Sequence, residues 1–244
     1  MIDLNFTYTA YIDLVKCLMS DGYRIADYHS WESFEKVCIL RHDVDFDLKK
    51  AAEFAEFETS ISKDVHSTYF VLLNTDFYNL FTRENRLLLE RIKNCGHEIG
   101  LHFDETQYDC YGDMHLLSKK IENEIDILSG IIAAPVTTVS MHRPSKAILN
   151  ANLNLNSTIN SYSQVFFQEF KYLSDSRMNW REEPYDCIQQ KKYNRLHILT
   201  HPFWYEESEV TMKKKLSDFI ETAKKERWQS LNQNFRQLEE ILTI

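Results

Sequence analysis

Apolar residues fall into two alternating rhythms along the chain: short continuous runs and longer stretches of helical period. Tyr11, Ile12, Val15, Leu18 and Met19 return every three or four positions and predict a first helix, with Gly22 as its stop. Val37 to Leu40 is unbroken apolar sequence and predicts a buried strand. Leu48, Ala51, Ala52 and Ala55 mark the next helix, Val65 to Leu73 a second strand, and Leu88 and Ile92 a helix that Cys95-Gly96 closes. His97 to His102 reads as a third strand. Met114, Leu117, Ile121, Ile125 and Leu128 form a helical stripe ended by Gly130. Val136 to Met141 is a fourth strand, stopped by His142-Arg143-Pro144. The Asn-rich stretch from Asn150 to Asn160 is the least regular. Phe166 to Ser174 supplies one or two further strands, and Leu196 to Thr200 the last, halted by Pro202. From Val210 onward Leu216, Phe219, Ile220, Ala223, Leu231, Phe235 and Leu238 keep a helical period.

Strands that alternate with helices define an α/β chain built as a βα-repeating sheet or barrel. No composition shift, low-complexity tract or solenoid repeat divides it, so residues 1–244 are expected to form a single domain, a normal size for an α/β barrel. A net charge of −9 argues against a nucleic-acid or anionic-membrane partner. The five cysteines (Cys17, Cys38, Cys95, Cys110 and Cys187) are scattered and show no zinc-knuckle spacing, which fits a reducing compartment. Asp3, Asp13 and Lys16 interrupt the first apolar residues, so no signal peptide is expected, and no run is long enough to span a membrane. The expected location is cytoplasmic.

The chemistry gathers where strands end. Arg41-His42-Asp43-Val44-Asp45-Phe46-Asp47 follows the first core strand directly. In extended backbone Asp43 and Asp45, two apart, share a face. Two carboxylates side by side ionise together only with a cation between them, or one takes a proton. The pair therefore asks for a metal or an acid/base role; the plainer reading makes Asp45 or Asp47 the N-cap of the next helix. The other strand ends carry His102, His142 with Arg143, Asp175 and His201. In a barrel such ends converge on one mouth, where five together are hard to attribute to chance. His97 and His102, five apart, face opposite ways. His197 and His201 lie about 13 Å apart on a strand, which leaves His201 as the site residue. His29, His66 and His115 have no evident partner.

These motifs, in this order, resemble the polysaccharide deacetylase superfamily. The match runs from His42-Asp43-Val44-Asp45 through Gly96-His97-Glu98-Ile99-Gly100-Leu101-His102, Arg143-Pro144 and Ser174-Asp175-Ser176 with Trp180, to Leu199-Thr200-His201-Pro202. It is nearest to cytoplasmic members associated with surface-polysaccharide synthesis. The resemblance implies an irregular (β/α) barrel of about seven parallel strands. It also implies a metal-dependent hydrolase that removes an N-acetyl or similar acyl group from an amino sugar. By position, Asp43 would be the general base, paired with Arg143, and Asp45 and His102 metal ligands. His201 would be the general acid, tuned by Asp175. A divalent cation would polarise the amide carbonyl and acidify its bound water. Zinc suits an Asp/His set with open positions, as would cobalt, nickel or manganese.

The sequence departs from the pattern at one ligand. The family's second metal histidine would fall at Thr106. Glu105 could reach the metal if the segment turns helical; His142 could supply the imidazole instead, and is preferred because it restores an Asp-His-His set. The usual aromatic tail after the Arg-Pro motif is replaced by Ser145 and Lys146, so secreted relatives are poor guides to substrate. A cytosolic small-molecule or lipid-linked amino sugar is the expected partner. Rival readings are a degenerate, non-catalytic sugar-binding module and a C–N hydrolase of a non-sugar amide. A third, a phosphohydrolase with His42-Asp43 as a metal dyad, sits badly with a strand end. Tyr108, Tyr111, Trp180, Trp204 and Tyr205 could stack on a sugar ring or simply cover the barrel.

Overall fold

The computed structural model describes residues 5–110, 112–151, 153, 155 and 157–242. Its strands are β1 (Arg24–Ala26), β2 (Val37–Val44), β3 (Thr68–Leu72), β4 (Glu98–Phe103), β5 (Thr138–Met141), β6 (Ile159–Asn160), β7 (Lys171–Ser174) and β8 (Arg195–Thr200). All pair in parallel, in the order β6-β5-β4-β3-β2-β8-β7, with β1 against the first half of β2. The helices are α1 (Tyr8–Ser20), α2 (Leu48–Ile61), α3 (Arg83–Asn94), α4 (Met114–Ile132), α5 (Lys146–Ala151), α6 (Gln164–Gln168), α7 (Pro184–Gln189) and α8 (Met212–Asn232). This is the expected α/β class, with a parallel sheet of about the expected strand number.

The alternation of side chains along each strand separates two interiors. Cys38, Leu40 and Val44 of β2, Leu101 and Phe103 of β4, and Leu196 and Ile198 of β8 join the buried faces of α1 to α4 on the outside of the sheet. Val37 and Ile39 point the other way and meet Tyr28, Trp31, Phe70, Phe166 and Phe170. That second cluster is an apolar floor inside the curl. Above it, the buried Arg41 reaches from β2 to Ser140 on β5 and to Ser161 just past β6, the latter at 2.9 Å. Positions three and four strands apart in the sheet are thus joined through the lumen, which a flat sheet would forbid. The sheet is a curled half-barrel, and its order ends at β6 on one side and β7 on the other. Gly100 makes room in the floor: a Cβ there would lie 2.5 Å from the Phe70 ring and 2.7 Å from Thr138 Oγ1.

Several boundaries differ from the expected ones. Strand β2 runs through Val44 instead of ending at Leu40, because hydrogen bonding to β3 and β8 continues past the apolar run. Gly130 does not stop α4. Burial of Leu128 and Ile132 outweighs the roughly 1 kcal/mol cost of one helical glycine, and Ala133 makes the left-handed turn instead, at φ 50°. Phe166 lies on α6, which seats it in the lumen floor; a short apolar run carries no periodicity to distinguish the two. The helical C-terminal pattern holds in α8, but Leu216 and Ile220 stay exposed. Asp47 caps α2, its carboxylate accepting from Lys50 N–H at 2.9 Å.

Outside the sheet, beneath α2, a buried polar cluster surrounds Glu58. Its carboxylate accepts hydrogen bonds from Tyr11 and Tyr69 hydroxyls and from Ser67 Oγ, and lies 3.1 Å from His42 Nε2. Burial opposes its charge, but His42 and the Tyr11 hydroxyl hold its pKa down at about 2. A carboxyl depressed from about 4.5 on folding stabilises the native state above pH 4.5, and that contribution is lost as pH falls towards 2. It amounts to roughly 3 kcal/mol. Acid unfolding of Glu58→Gln, followed by circular dichroism, is expected to show a smaller loss of stability between pH 4.5 and 2 than the parent, by roughly 3 kcal/mol; the other depressed carboxylates, Asp43 among them, keep their share. Equal pH slopes would remove the carboxylate from that role.

Candidate metal and acid–base site

Inward-facing positions on β2 rise from the floor as Ile39, Arg41 and Asp43, and Asp45 follows just past the strand. His102 on β4 and His142, one residue past β5, face them. Three ligand atoms converge. Asp45 Oδ1 lies 3.3 Å from His102 Nε2 and 3.4 Å from His142 Nδ1, and the two nitrogens are 3.1 Å apart. Asp45 Oδ1 is buried yet makes no hydrogen bond among the described residues. Tetrahedral coordination with bonds of 2.0–2.2 Å requires ligand atoms about 3.3–3.6 Å apart. Two of the three separations fall in that range and the third lies just below it, so the donors are close to the spacing of one face of such a site and fit a divalent ion. His102 Nδ1 lies 3.4 Å from the Ser140 carbonyl oxygen, which favours the tautomer that leaves Nε2 free to ligate.

Glu105, the alternative third ligand, faces elsewhere. It starts a 3-10 turn (Glu105–Gln107) and accepts from Ser145 N–H and Ser145 Oγ, so its carboxylate ties the loop after β4 to the loop after β5.

Asp43 flanks the triad, with Oδ2 3.5 Å from His102 Nε2. Its arginine is not the one expected from the sequence. Arg41 grips it in a fork, Nε to Oδ1 at 3.1 Å and one Nη to Oδ2 at 2.7 Å. Arg143 instead reaches Asp104 at 3.4 Å, with its side chain 72% exposed. The reason is local: Arg143 follows the strand in a left-handed conformation, φ 48°, which turns it to the rim, while Arg41 stands two residues before Asp43 on the same strand face. Burial opposes the charge on Asp43, but Arg41 outweighs it and keeps the carboxyl below its ordinary range. Period-two spacing could have revealed this. An arginine inside a strand needs a counter-charge, and the i+2 carboxylate is nearest.

His201 completes the mouth at the end of β8. Its Nδ1 lies 2.6 Å from Asp175 Oδ1, and its backbone N–H donates to Asp175 Oδ2 at 3.0 Å. Its Nε2 lies 3.7 Å from Asp45 Oδ2. Burial works against protonation, but Asp175, then Asp45 and Asp43, push its pKa up to about 9. A histidine charged at neutral pH, with Nδ1 committed to a carboxylate, can hold a proton on Nε2 towards the cleft.

The remaining histidines stand apart. His197 is in the lumen floor, 2.7 Å from the Tyr28 hydroxyl. His97 accepts from Ser67 N–H on the outer side of the sheet. His42 also points outward, to Thr200 Oγ1 at 2.6 Å and towards Glu58, so His42 and Asp43 lie on opposite faces and cannot share a metal. His29, for which no partner was evident, lies 3.2 Å from Glu98.

The triad, Asp43 and His201 open into a cleft of about 950 Å³. Phe46, Phe77 and Trp204 line one side, with the Phe46 and Phe77 rings 5.1 Å apart, edge to face. Of the other aromatics singled out by sequence, Tyr108 stacks on Phe103 and donates to Glu124, while Tyr205 is fully buried in the core. Trp180 rests against that core, and Tyr111 is outside the described residues.

What the fold and site define is a parallel half-barrel with an Asp-His-His cluster and two acid–base groups at its carboxyl mouth. No family model matches the chain, and no curated protein matches it. Solved structures do. The peptidoglycan deacetylase PdaC from Bacillus subtilis (a mutant form) is 16% identical, over 83% of this chain and 98% of that one, at a TM-score of 0.44. A family 4 acetyl xylan esterase from Clostridium thermocellum is 16% identical, over 78% and 85%, at 0.44. The chitin deacetylase of Colletotrichum lindemuthianum is 14% identical, over 76% and 81%, at 0.42.

Proposed function

We propose that this chain is a metal-dependent hydrolase of the polysaccharide deacetylase type, cleaving the amide of an N-acyl amino sugar. The observation that supports it most is the convergence in one cleft of a three-donor metal cluster, an arginine-held carboxylate and a carboxylate-held histidine. Asp45, His102 and His142 would hold the ion. When bound, it supplies Lewis acidity towards a carbonyl oxygen and towards water. Asp43, ionised and fixed by Arg41, would accept the proton of the attacking water. His201, charged and oriented by Asp175, would deliver its proton to the departing amine. Phe46, Phe77 and Trp204 offer an apolar wall suited to the C–H face of a sugar ring. A cytoplasmic setting belongs to the same proposal, supported by the five scattered, unpaired cysteines. A purely sugar-binding module is disfavoured, because binding requires neither the Arg41–Asp43 fork nor the Asp175–His201 pair. Among the described residues no helix is long and apolar enough to cross a membrane.

The protein purified with zinc is expected to carry close to one equivalent of metal by mass spectrometry and to release acetate from N-acetylated sugars. His142→Ala is expected to lose most of that metal and Glu105→Ala to keep it. Metal lost from Glu105→Ala and retained by His142→Ala would reverse the ligand assignment. A metal-loaded protein that releases no acetate from free, nucleotide-linked or lipid-linked N-acetyl sugars would remove the hydrolase reading.

A further inference from the structure

The cleft mouth carries an arginine cluster that the hydrolytic site does not use. Arg143, Arg177 and Arg181 all line the cleft and are all exposed. They come from two loops: one after β7, at one end of the sheet order, and one after β5, next to the strand β6 that forms the other end. Carboxylates line the cleft too, but on a chain of net charge −9 three exposed guanidinium groups lining one cleft stand out. They are also uncommitted. Among the described residues Arg177 and Arg181 make no ion pair, hydrogen bond or ring contact, and Arg143 has only the 3.4 Å contact to Asp104. Five carboxylates line the same cleft, but Asp43 is held by Arg41, Asp45 lies against His102 and His142, Asp104 accepts from Thr106 at 2.7 Å, and Glu182 is paired with Lys171 at 2.6 Å, which leaves Asp76.

The loop after β7 is built to present them. Arg177 and Met178 both take left-handed backbone, φ 58° and 53°, a conformation that costs non-glycine residues energy and needs support from the surroundings. Met178 and Trp180 supply it by resting against the core, and Asn179 N–H bonds the Asp175 carbonyl at 3.3 Å. The residues that fold the loop turn inward, and Arg177 and Arg181 are left in the cleft. Asp175, at the base of this loop, holds His201, so the arginines are anchored beside the acid–base pair.

We infer that Arg177 and Arg181, with Arg143 across the opening, bind a phosphate or diphosphate group attached to the substrate. This rests on the hydrolase reading for what the rest of the substrate is, though not for the anion site itself. Guanidinium forks match phosphate oxygens in pairs, and three of them exceed what a single carboxylate can engage. The cleft is at the upper end of the size range for small-molecule sites, large enough for a sugar with a phosphate-linked substituent. The diphosphate could come from a nucleoside diphosphate sugar or from a polyprenyl diphosphate sugar; the chemistry at the arginines is the same.

The test uses full-length, metal-loaded protein and two probes, uridine diphosphate and farnesyl diphosphate, in titration calorimetry at two salt concentrations. The parent is expected to bind at least one of them, more weakly at high salt. Arg177→Gln/Arg181→Gln is expected to bind about tenfold or more weaker, with melting temperature and metal content unchanged. Arg143→Gln should weaken binding in the same direction. Preference for one probe identifies the carrier. The parent binding neither probe, or the double variant binding as tightly as the parent, overturns the proposal. Binding that the variants weaken, in a protein that releases no acetate from any N-acetyl sugar, keeps the anion site and removes the hydrolase reading, so the two fail separately.

Discussion

Asp43→Asn is expected to lower the rate of acyl release by about 10²–10⁴-fold, while the protein still takes up its metal. The separation follows from geometry. The three atoms spaced for a metal ion belong to Asp45, His102 and His142, and Asp43 stands beside them, 3.5 Å from His102 Nε2. An asparagine keeps the shape and one acceptor for Arg41 but cannot accept a proton at neutral pH. Turnover measured per bound metal, with folding checked by circular dichroism, distinguishes loss of the base from loss of the site. Full turnover would take Asp43 out of the base role. Metal loss equal to that of Asp45→Ala would make it a ligand instead.

Arg41→Met is expected to destabilise the fold by about 3–5 kcal/mol, because it leaves the Asp43 carboxylate buried without its cation. For a chain of this size that corresponds to a fall in Tm of roughly 10 °C. Arg41 also joins β2 to Ser140 and Ser161, so the variant loosens the curl that positions the mouth. Arg41→Lys should restore little, since an ammonium cannot fork to both oxygens and reach the two serines. The double variant Arg41→Met/Asp43→Asn should recover part of the loss, because no charge is then left unpaired. A single variant that melts within 2 °C of the parent would show that the buried pair is not structural.

The site could be read from sequence wherever the relevant property is local. Asp43 and Asp45 share a face because a strand has a period of two, and His201 rather than His197 reaches the mouth because four residues of strand separate them by about 13 Å. The helical stripes of α1 to α4 and the polar strand ends were visible for the same reason. Partners that meet only through curvature were not visible. Nothing in the spacing of Glu105 and His142 decides which of them faces Asp45. Glu105 is drawn to Ser145 by a 3-10 turn, and His142 is carried inward as its N–H, bonded to the Phe103 carbonyl at 2.8 Å, extends the β4–β5 ladder by one residue.

The arginines show the same division. By motif order Arg143 stood for the partner of the base, yet a single left-handed residue after β5 turns it to the rim, and Arg41 takes that place from within the strand. The chain by itself determined the α/β class, the strand-end chemistry and the facing of residues along each strand, because these follow from local periodicity and backbone geometry. The tertiary structure decided that His142 and not Glu105 stands beside Asp45, which arginine pairs with Asp43, and which arginines are left free at the mouth. Those depend on which loops the curled sheet brings together, and on which charges burial forces to pair.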